Sequence, residues 1–421
     1  MPATDDDALL PFSLPSIHRK KVTAAFDGGQ ISSDGGVLLL AGVDKQLGLI
    51  DMLAALIPDH RDPNLIIHPM VDILRPRVFA IACGYPDAND LDDLRRDPAF
   101  KLACGRLPET GVDLTSQPTV SRWENAPDLR TLIRLSHGMV DLWCKSYRRP
   151  PKAITLDIDD TPDVVHGHQQ LSLFNAHYDE RCFSPIHVYD AASGHCVVTI
   201  LRPGKTPDGK EVRAHLRRLV RRIRRHWPNT VITIRGDSHY GRREAMDWCE
   251  ENAVRYVFGL SKNETLDALV FAKADEVRTR RAIGNLDVVR DYGETRYAAK
   301  SWSHPRRVVA RIEATRRGLD IRYVVTSIAR CDAASLYGGI YCARGQAENL
   351  IKRHKSQLAS DRTSCRSPLA KGEFSTLRLR LLKVAVRIRE TATRIRLGFA
   401  ANCPDAALFR GLVNTLILRP S

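Results

Sequence analysis

Four residues of one predicted helix have side chains of the types that bind metal ions and phosphodiesters. They are Tyr341, Arg344, Glu348 and Lys355. At about 100° per residue of an α-helix, the four side chains fall within about 60° of one another. A carboxylate can hold a divalent metal ion, arginine binds phosphate oxygens through paired N–H groups, lysine supplies a point charge, and tyrosine donates a hydrogen bond or stacks. The spacing therefore favours a helix face that binds a phosphodiester over a solvated face with an i,i+4 ion pair.

Two aspartates share one face of a predicted β-strand upstream. In the strand 153–159, apolar and polar residues alternate, so Asp157 and Asp159 point to the side opposite the apolar residues. Acidic side chains on one face of a strand repel each other, so we expect a cation near them. Capping of the next turn is the alternative role, and it suits Asp160 and Asp163 better than this pair.

A third aspartate stands at the end of another predicted strand. Asp237 follows the apolar strand 230–236 and precedes a predicted helix. In mixed α/β sheets, ligands bind beyond the carboxyl ends of the strands. The sequence therefore predicts that Asp237 belongs to a binding site, with capping of the next helix as the alternative.

The composition indicates a polyanionic partner. The chain has 421 residues and a formal net charge of +15, with a sequence pI near 9.5. Nucleic acid is the first partner to consider, and an acidic membrane surface is the second. There is no apolar run long enough to span a bilayer and no Cys-x-x-Cys pair, which argues against a membrane protein and a zinc ribbon. We expect an intracellular protein that does not bind membranes.

The predicted elements divide the chain into several regions of an α/β protein. We predict a mainly helical DNA-binding region at 1–150 and a catalytic domain formed by 151–261 and 336–400. A β-rich insertion is predicted at 262–335, and a C-terminal tail at 401–421. Within the catalytic domain, the spacing of apolar residues predicts a helix over 374–397.

Further side chains are candidates for DNA contacts. Arg122 lies in a predicted helix with Ser/Thr caps, which is either a recognition helix or a structural one. Lys352 lies in the same helix as Lys355. Trp302 is a candidate for base stacking, with packing in a core as the alternative. The predicted helix 210–227 carries eight Lys/Arg and only one acid, which favours a DNA-backbone surface over a solvated face.

Asp159, Asp237 and Glu348 together predict a metal-dependent nuclease chemistry. Three carboxylates can hold two divalent cations, Mg²⁺ or Mn²⁺, which prefer oxygen ligands. Such a pair activates water or a 3′-OH and stabilises the leaving oxygen. Asp157 remains an alternative to Asp159 as the first metal ligand. The order of predicted strands and helices is that of a ribonuclease H-like mixed sheet flanked by helices.

The same residues resemble a known family. Tyr341, Arg344, Glu348 and Lys355 are separated by two, three and six residues, which resembles the Tyr-Arg-Glu-Lys signature of DDE transposases of bacterial insertion sequences. Three further stretches resemble insertion-sequence family 1380: Gly84-Tyr-Pro-Asp-Ala-Asn-Asp90, Leu94-Arg-Arg-Asp-Pro98 and Asp361-Arg-Thr-Ser-Cys365. The resemblance extends from about residue 26 to 397.

The resemblance implies cut-and-paste DNA transposition. It assigns the catalytic acids to Asp159, Asp237 and Glu348, and it assigns phosphate and base contacts to Tyr341, Arg344 and Lys355. It further implies double-stranded DNA partners (terminal inverted repeats and target DNA), a homodimer on DNA, and a cytoplasmic, nucleoid-associated bacterial protein. The alternatives are a ribonuclease H-fold nuclease and a DNA-binding protein without catalysis.

Overall fold

The computed structural model describes residues 12–24, 28–164, 172–357, 374–401 and 403–417. Its contacts divide the chain into two compact units. The first contains residues 1–135 together with 362–421, and the second contains 136–361. The stretch Asp361–Cys365, which contributed to the family resemblance, lies outside the described residues.

The elements are numbered in chain order. The N-terminal part contains β1 (Phe12–Ile17), β2 (Lys20–Ala24), β3 (Ile31–Ser32), α1 (Val37–Leu47), α2 (Leu49–Leu56), α3 (Met70–Cys83), α4 (Leu91–Leu94), α5 (Pro98–Ala103), α6 (Gln117–Glu124) and α7 (Leu129–Ser146). The first half of the central part contains β4 (Ala153–Asp160), β5 (Asp163–Val164), β6 (Leu173–Asn175), β7 (Glu180–Phe183), β8 (Ile186–Asp190), β9 (Cys196–Ile200), α8 (Gly209–His226), β10 (Val231–Gly236), α9 (Arg243–Glu251) and β11 (Arg255–Leu260). The second half contains α10 (Glu264–Leu269), α11 (Phe271–Ile283), β12 (Val288–Tyr297), β13 (Arg306–Thr315), β14 (Gly318–Thr326) and α12 (Gly345–Gln357). The C-terminal part contains α13 (Phe374–Leu377), β15 (Val386–Glu390), β16 (Ile395–Phe399) and α14 (Ala406–Ile417).

The second unit is built on an eight-stranded mixed sheet. Its strand order is β12-β13-β14-β11-β10-β4-β8-β9. Strands β4, β10 and β11 run parallel, and the remaining neighbours pair antiparallel. The parallel strands β4 and β10 therefore end at the same edge of the sheet.

The two faces of this sheet carry different residues because side chains alternate along each strand. Ile154, Leu156 and Ile158 of β4 pack with the apolar stripe of α8 and with α9 in the main core. The opposite face carries Asp157 and Asp159. On that side Ala347 and Ile351 of α12 pack against Tyr189 of β8.

The first unit joins segments that are far apart in sequence. Strand β15 pairs with β3 and with β16. Leu382, Val386 and Ile388 share a core with residues of α1 and α3–α6. The turn before α1 is part of this join, since the amides of Gly35 and Gly36 donate to the carbonyl oxygens of Val384 and Leu382, at 2.8 and 3.1 Å.

Several elements differ from the sequence predictions. The strands of 262–335 extend the central sheet, because β14 pairs with β11, and they do not form a separate sheet. The helix predicted over 374–397 is wrong beyond Leu382, where two strands follow. In β15 the buried Val386 and Ile388 alternate with exposed arginines, so the period is two. The compact units divide the chain near residues 135 and 361. The functional regions 1–150, 151–261 with 336–400, 262–335 and 401–421 stay a prediction.

No helix among the described residues combines the length and the apolar character that a membrane crossing requires.

Gly36 gives a test of the join within the first unit. A Cβ at this position would lie 1.8 Å from the carbonyl oxygen of Leu381 and 2.4 Å from the Cα of Leu382. These are backbone atoms that cannot rotate away, so Gly36→Ala should lower the free energy of unfolding by about 3 kcal/mol. Chemical denaturation of the full chain measures this.

Gly411→Ala is the matched control. Gly411 lies in α14, and a Cβ there would meet nothing within 4 Å. Because alanine favours a helix over glycine, this variant should be stabilised by up to about 1 kcal/mol. Equal stability of the two variants would contradict the close approach at Gly36.

Candidate active site

Three acids from three elements meet at one guanidinium. Asp159 lies at the end of β4, Asp237 follows β10, and Glu348 lies in the first turn of α12. Their carboxylate oxygens lie 3.0, 2.6 and 2.8 Å, respectively, from the terminal nitrogens of Arg344. The structure thus brings together the three acids that the sequence singled out.

Sheet register and helix packing explain this meeting. In the parallel pair β4–β10, Asp157 is opposite Arg235. Two residues further along each strand, Asp159 and Asp237 therefore reach the same edge on the same face. Glu348 follows Arg344 by four residues, so the two side chains are neighbours on one helical face.

The helix that carries this face is not a regular α-helix throughout. The segment Ser335–Tyr341 is π-helical, Cys342–Arg344 forms a 3₁₀ turn, and only Gly345 onwards is α-helical. The prediction of one helix from Tyr341 to Lys355 was therefore correct for its C-terminal part alone. The i,i+4 contact between Arg344 and Glu348 is preserved across the change.

Asp159 has too little positive charge around it. The residue is 7% exposed, and burial raises the pKa of its carboxyl to about 7. The charge of Arg344 opposes this shift, whereas Asp237 and Asp160 add to it. One guanidinium faces three carboxylates, so the group attracts a further cation.

Asp157 is not part of this group. Its two carboxylate oxygens accept from Nε and a terminal nitrogen of Arg235, at 2.5 and 2.7 Å, and both residues are buried. Arg235 also donates to the carbonyl oxygen of Ile340, at 2.6 Å. Burial raises the pKa of Asp157 and Arg235 lowers it. This geometry favours a structural ion pair, and it favours Asp159 over Asp157 as the first metal ligand.

The donor set fits divalent cations. Three carboxylates supply hard oxygen ligands, which Mg²⁺ and Mn²⁺ prefer. Asp237 and Glu348 are partly exposed, with 39% and 61% of their side chains accessible, so ions in solution can reach them. In the described structure, the guanidinium of Arg344 lies between the three acids.

A second acidic group has a different character. Asp247, Glu250 and His304 have potential ligand atoms within 4.8 Å of one another. The buried Arg306 already binds Asp247 at 2.5 Å and Glu250 at 2.8 Å. This group is therefore a neutralised ion-pair cluster that joins α9 to β13, and nothing in the sequence analysis had identified it.

A cleft of about 500 Å³ lies beside two of the three acids. Its lining includes Asp159, Glu348, Lys352 and Lys355. The amino group of Lys355 donates to the carbonyl oxygen of Pro162, at 2.5 Å, which holds α12 near the end of β4. The cleft therefore has both acids and lysines in its lining, and α12 supplies Glu348 as well as the two lysines.

Tyr341 is half-buried beside the acids. Burial raises the pKa of its hydroxyl, and the charge of Arg344 acts against this. A Cβ on Gly259 would lie 2.9 Å from the Tyr341 hydroxyl oxygen, so glycine at the end of β11 makes room for it. The sequence analysis did not identify Gly259, because its role depends on a contact 82 residues away.

Two DNA-contact candidates lie elsewhere. Arg122 is exposed on α6 in the first unit, where its Nε donates to the carbonyl oxygen of Pro118, at 3.0 Å. Trp302 packs against the main core, edge-on to Tyr297 and with Arg306 over its ring. These contacts favour the structural role of Trp302 over base stacking.

Two histidines near the acids were not predicted as site residues. His239 Nε2 lies 2.6 Å from Asp160, which also accepts from Ser184 and Tyr240. His187 is opposite Asp159 in the β4–β8 pairing and packs edge-on against His354 of α12. The sequence carries no signal for either contact, since both pairings arise only from the folded sheet.

The comparisons with known proteins give one family match and several similar solved structures. The profile of the family described as Transposase DDE domain group 1 matches residues 14–371 and 366–420. No curated protein matches the chain. Among solved structures, the chain is similar to a piggyBac transposase in a synaptic complex with hairpin DNA, at 11% identity and a TM-score of 0.40, covering 84% of this chain and 74% of that one.

It is also similar to the Mos1 transposase in a paired-end complex with a left transposon end. This match has 14% identity and a TM-score of 0.19, and it covers 47% of this chain and 64% of that one. Neither structural similarity is close enough to carry a functional conclusion.

The different surroundings of Asp157 and Asp159 predict different effects of substitution. Asp157→Asn leaves the buried Arg235 without its counter-charge and should cost about 3–5 kcal/mol of stability. Asp159→Asn removes a carboxyl whose ionisation burial opposes, while Arg344 keeps two other acids, so stability should change little. Thermal unfolding in metal-free buffer measures both, and a similar loss in the two variants would contradict the assignment.

The burial of His187 predicts that the stability of the protein depends on pH. Burial, followed by the charges of His354 and Lys355, lowers the pKa of His187 from 6.5 to about 4. The unfolded chain therefore binds a proton that the folded chain excludes, and stability is lost as the pH falls from 6.5 towards 4. At pH 5 this loss is about 2 kcal/mol relative to pH 7.5.

The measurement is denaturant unfolding of the native protein and His187→Asn at both pH values. The native protein should have the higher free energy of unfolding at pH 7.5, and its difference from the variant should become smaller at pH 5. Exposed His177→Asn is the control and should change stability little at either pH. If the difference in the free energy of unfolding between the native protein and His187→Asn is the same at both pH values, His187 is not held neutral in the folded chain.

Proposed function

The chain belongs to the family of transposases with a DDE domain of group 1, and we propose that Asp159, Asp237 and Glu348 are its catalytic acids. It is a DNA transposase, an enzyme that hydrolyses and transesterifies phosphodiester bonds. The observation that carries the proposal is the convergence of the three acids on Arg344 at the carboxyl ends of two parallel strands.

The strand arrangement supports a ribonuclease H-like catalytic domain. In the sheet, β9, β8 and β4 form an antiparallel meander, and β10 and β11 then continue parallel to β4. The helices α8 and α9 cover one face. This strand order supports the proposal of a ribonuclease H-like domain, in which β12–β14 beyond β11 would be the insertion.

We propose that the acids hold two divalent ions, Mg²⁺ or Mn²⁺. Bound there, such ions activate the attacking water or 3′-OH and stabilise the leaving oxygen. Three carboxylates with only one guanidinium among them leave a net negative charge that attracts divalent cations. The raised pKa of Asp159 supports the same conclusion, because a further cation favours its ionised form.

The cations of the chain itself have separate roles in this proposal. Arg344 orients the three acids, and its planar guanidinium can also bind a phosphate. Lys352 and Lys355 line the same cleft and would attract the DNA backbone. Tyr341 would contact the DNA next to the scissile bond through its hydroxyl.

The wider assignments rest on the sequence resemblance. We propose cut-and-paste transposition of an element related to insertion-sequence family 1380, by a homodimer assembled on the terminal inverted repeats. Residues 1–150, including Arg122, would contribute DNA binding. Transposition of chromosomal DNA would take place in the cytoplasm at the nucleoid.

Removing one acid should abolish strand cleavage. Asp237→Asn and Glu348→Gln keep the side-chain volume but remove a metal-binding charge worth several kcal/mol. The cleavage rate should therefore fall about 10³-fold or more. The assay is nicking of labelled duplex that carries the element's ends, with Mg²⁺ and with Mn²⁺, followed by strand transfer from a pre-cut 3′-OH end.

Asp163→Asn is the matched control, since Asp163 is an exposed acid near the same strand end and contacts none of the three. It should cleave at the native rate. Full cleavage by both site variants would refute the assignment of the acids. Cleavage without any strand transfer by the native protein would indicate a nuclease.

A further inference from the structure

The outward face of α8 carries six cations that no acid neutralises. Lys210, Arg213, Arg217, Arg218, Arg221 and Arg225 are exposed. Within the part of the chain that the structure describes, these six make no ion pair and no side-chain hydrogen bond. The other two arginines of the helix have structural partners, because Arg222 binds Asp141 and Arg224 donates to the carbonyl oxygen of Asn252.

Helix α11 shows what an ordinary solvated basic face looks like in the same unit. Lys273 and Arg280 both bind Glu276 and Asp291. Arg278 binds Asp275, and Arg281 donates to a backbone carbonyl. Three of these four cations of α11 form ion pairs with nearby acids and the fourth has a hydrogen-bond partner, whereas the six exposed cations of α8 have neither in the described structure.

The arrangement on α8 is costly for an isolated helix. Arg213, Arg217, Arg221 and Arg225 follow each other at i,i+4 spacing. Each such pair of like charges destabilises a helix by about 0.2–0.5 kcal/mol. A row of this kind is relieved by a polyanion, and at about 1.5 Å per residue it extends about 18 Å, the length of several phosphates along a duplex.

The position of α8 separates this face from the acids. The helix packs on the sheet face opposite Asp157 and Asp159. Its first turn is nevertheless tied to the edge at which the acids lie, because Glu211 binds Arg202 at 2.8 Å and Arg202 donates to the carbonyl oxygen of Ser184. Ser184 in turn donates to Asp160 at the end of β4. The basic row therefore starts at the active-site edge and runs away from it.

We propose that the outward face of α8 binds the phosphate backbone of duplex DNA without regard to sequence. Long arginine side chains on a continuous helix contact phosphates and carry no base recognition when they lie along a backbone. The duplex that extends beyond the active site is held along this row. A membrane surface suits the face poorly, since no aromatic or apolar side chain accompanies the cations.

The experiment measures the salt dependence of duplex binding by the full chain. Fluorescence anisotropy with a duplex of random sequence compares the native protein with a variant carrying Arg213→Gln, Arg217→Gln, Arg221→Gln and Arg225→Gln. Each phosphate contact contributes about 0.9 to the slope of log affinity against log salt, so the slope should become shallower by up to about 3.6. An unchanged slope overturns the proposal.

A matched variant of α11, with Arg278→Gln, Arg280→Gln and Arg281→Gln, should keep the native slope. If the α8 variant does not fold, Arg217→Gln and Arg221→Gln are measured singly, and each should reduce the slope by about 1. An equal loss in the α11 variant overturns the proposal, as does a loss of binding to anionic vesicles with duplex binding unchanged.

The result is independent of the catalytic assignment. Asp237→Asn should retain the native salt slope while it loses cleavage. The α8 variant should still cleave a short duplex that ends a few base pairs beyond the scissile bond, since that substrate does not reach along the row. Loss of cleavage on this short duplex, with native binding, would assign α8 to the active site and overturn the proposal.

Discussion

The ion pairs of Arg344 with Asp159, Asp237 and Glu348 are the interaction on which the geometry of the candidate site depends. The three acids repel one another, and Asp159 is buried besides, so a shared counter-charge is what allows them to come together. Because one guanidinium cannot neutralise three carboxylates, the site keeps a net negative charge. That deficit, more than any single distance, is what makes the site suitable for cations.

The central sheet separates two kinds of chemistry. One face packs into the main core with α8, α9 and other helices of the second unit. The other carries the acids, the buried pair Asp157–Arg235, and α12. Asp157 and Arg235 form a buried ion pair in which one positive charge balances one negative charge, unlike the acid cluster. This pair links β4, which carries Asp159, to β10. Asp157 and Asp159 of β4 thus differ in their surroundings. Asp157 has Arg235 as its own counter-charge, whereas Asp159 shares Arg344 with Asp237 and Glu348.

The three acids that the sequence singled out lie together in the structure, whereas several elements of the fold differ from the sequence predictions. The types and spacing of Arg344 and Glu348 were sufficient, because the i,i+4 relation holds in any helical geometry. Alternation along β4 put Asp157 and Asp159 on one face but gave no means to choose between them, since the choice depends on Arg235 across the sheet. The residues after Leu382 were mistaken for helix because apolar side chains spaced three and four apart coincide with a period of two over short runs. Their partner, β3, lies about 350 residues earlier and leaves no local signal.

The discontinuity of the first unit has a consequence for biosynthesis. Its core and its β3–β15–β16 sheet require residues on both sides of the second unit. Because the chain leaves the ribosome N-terminus first, residues 136–361 emerge complete while the first unit still lacks both strand pairs of β15 and part of its core. The second unit can thus fold first, and the first unit can complete its sheet only after β15 and β16 have been synthesised.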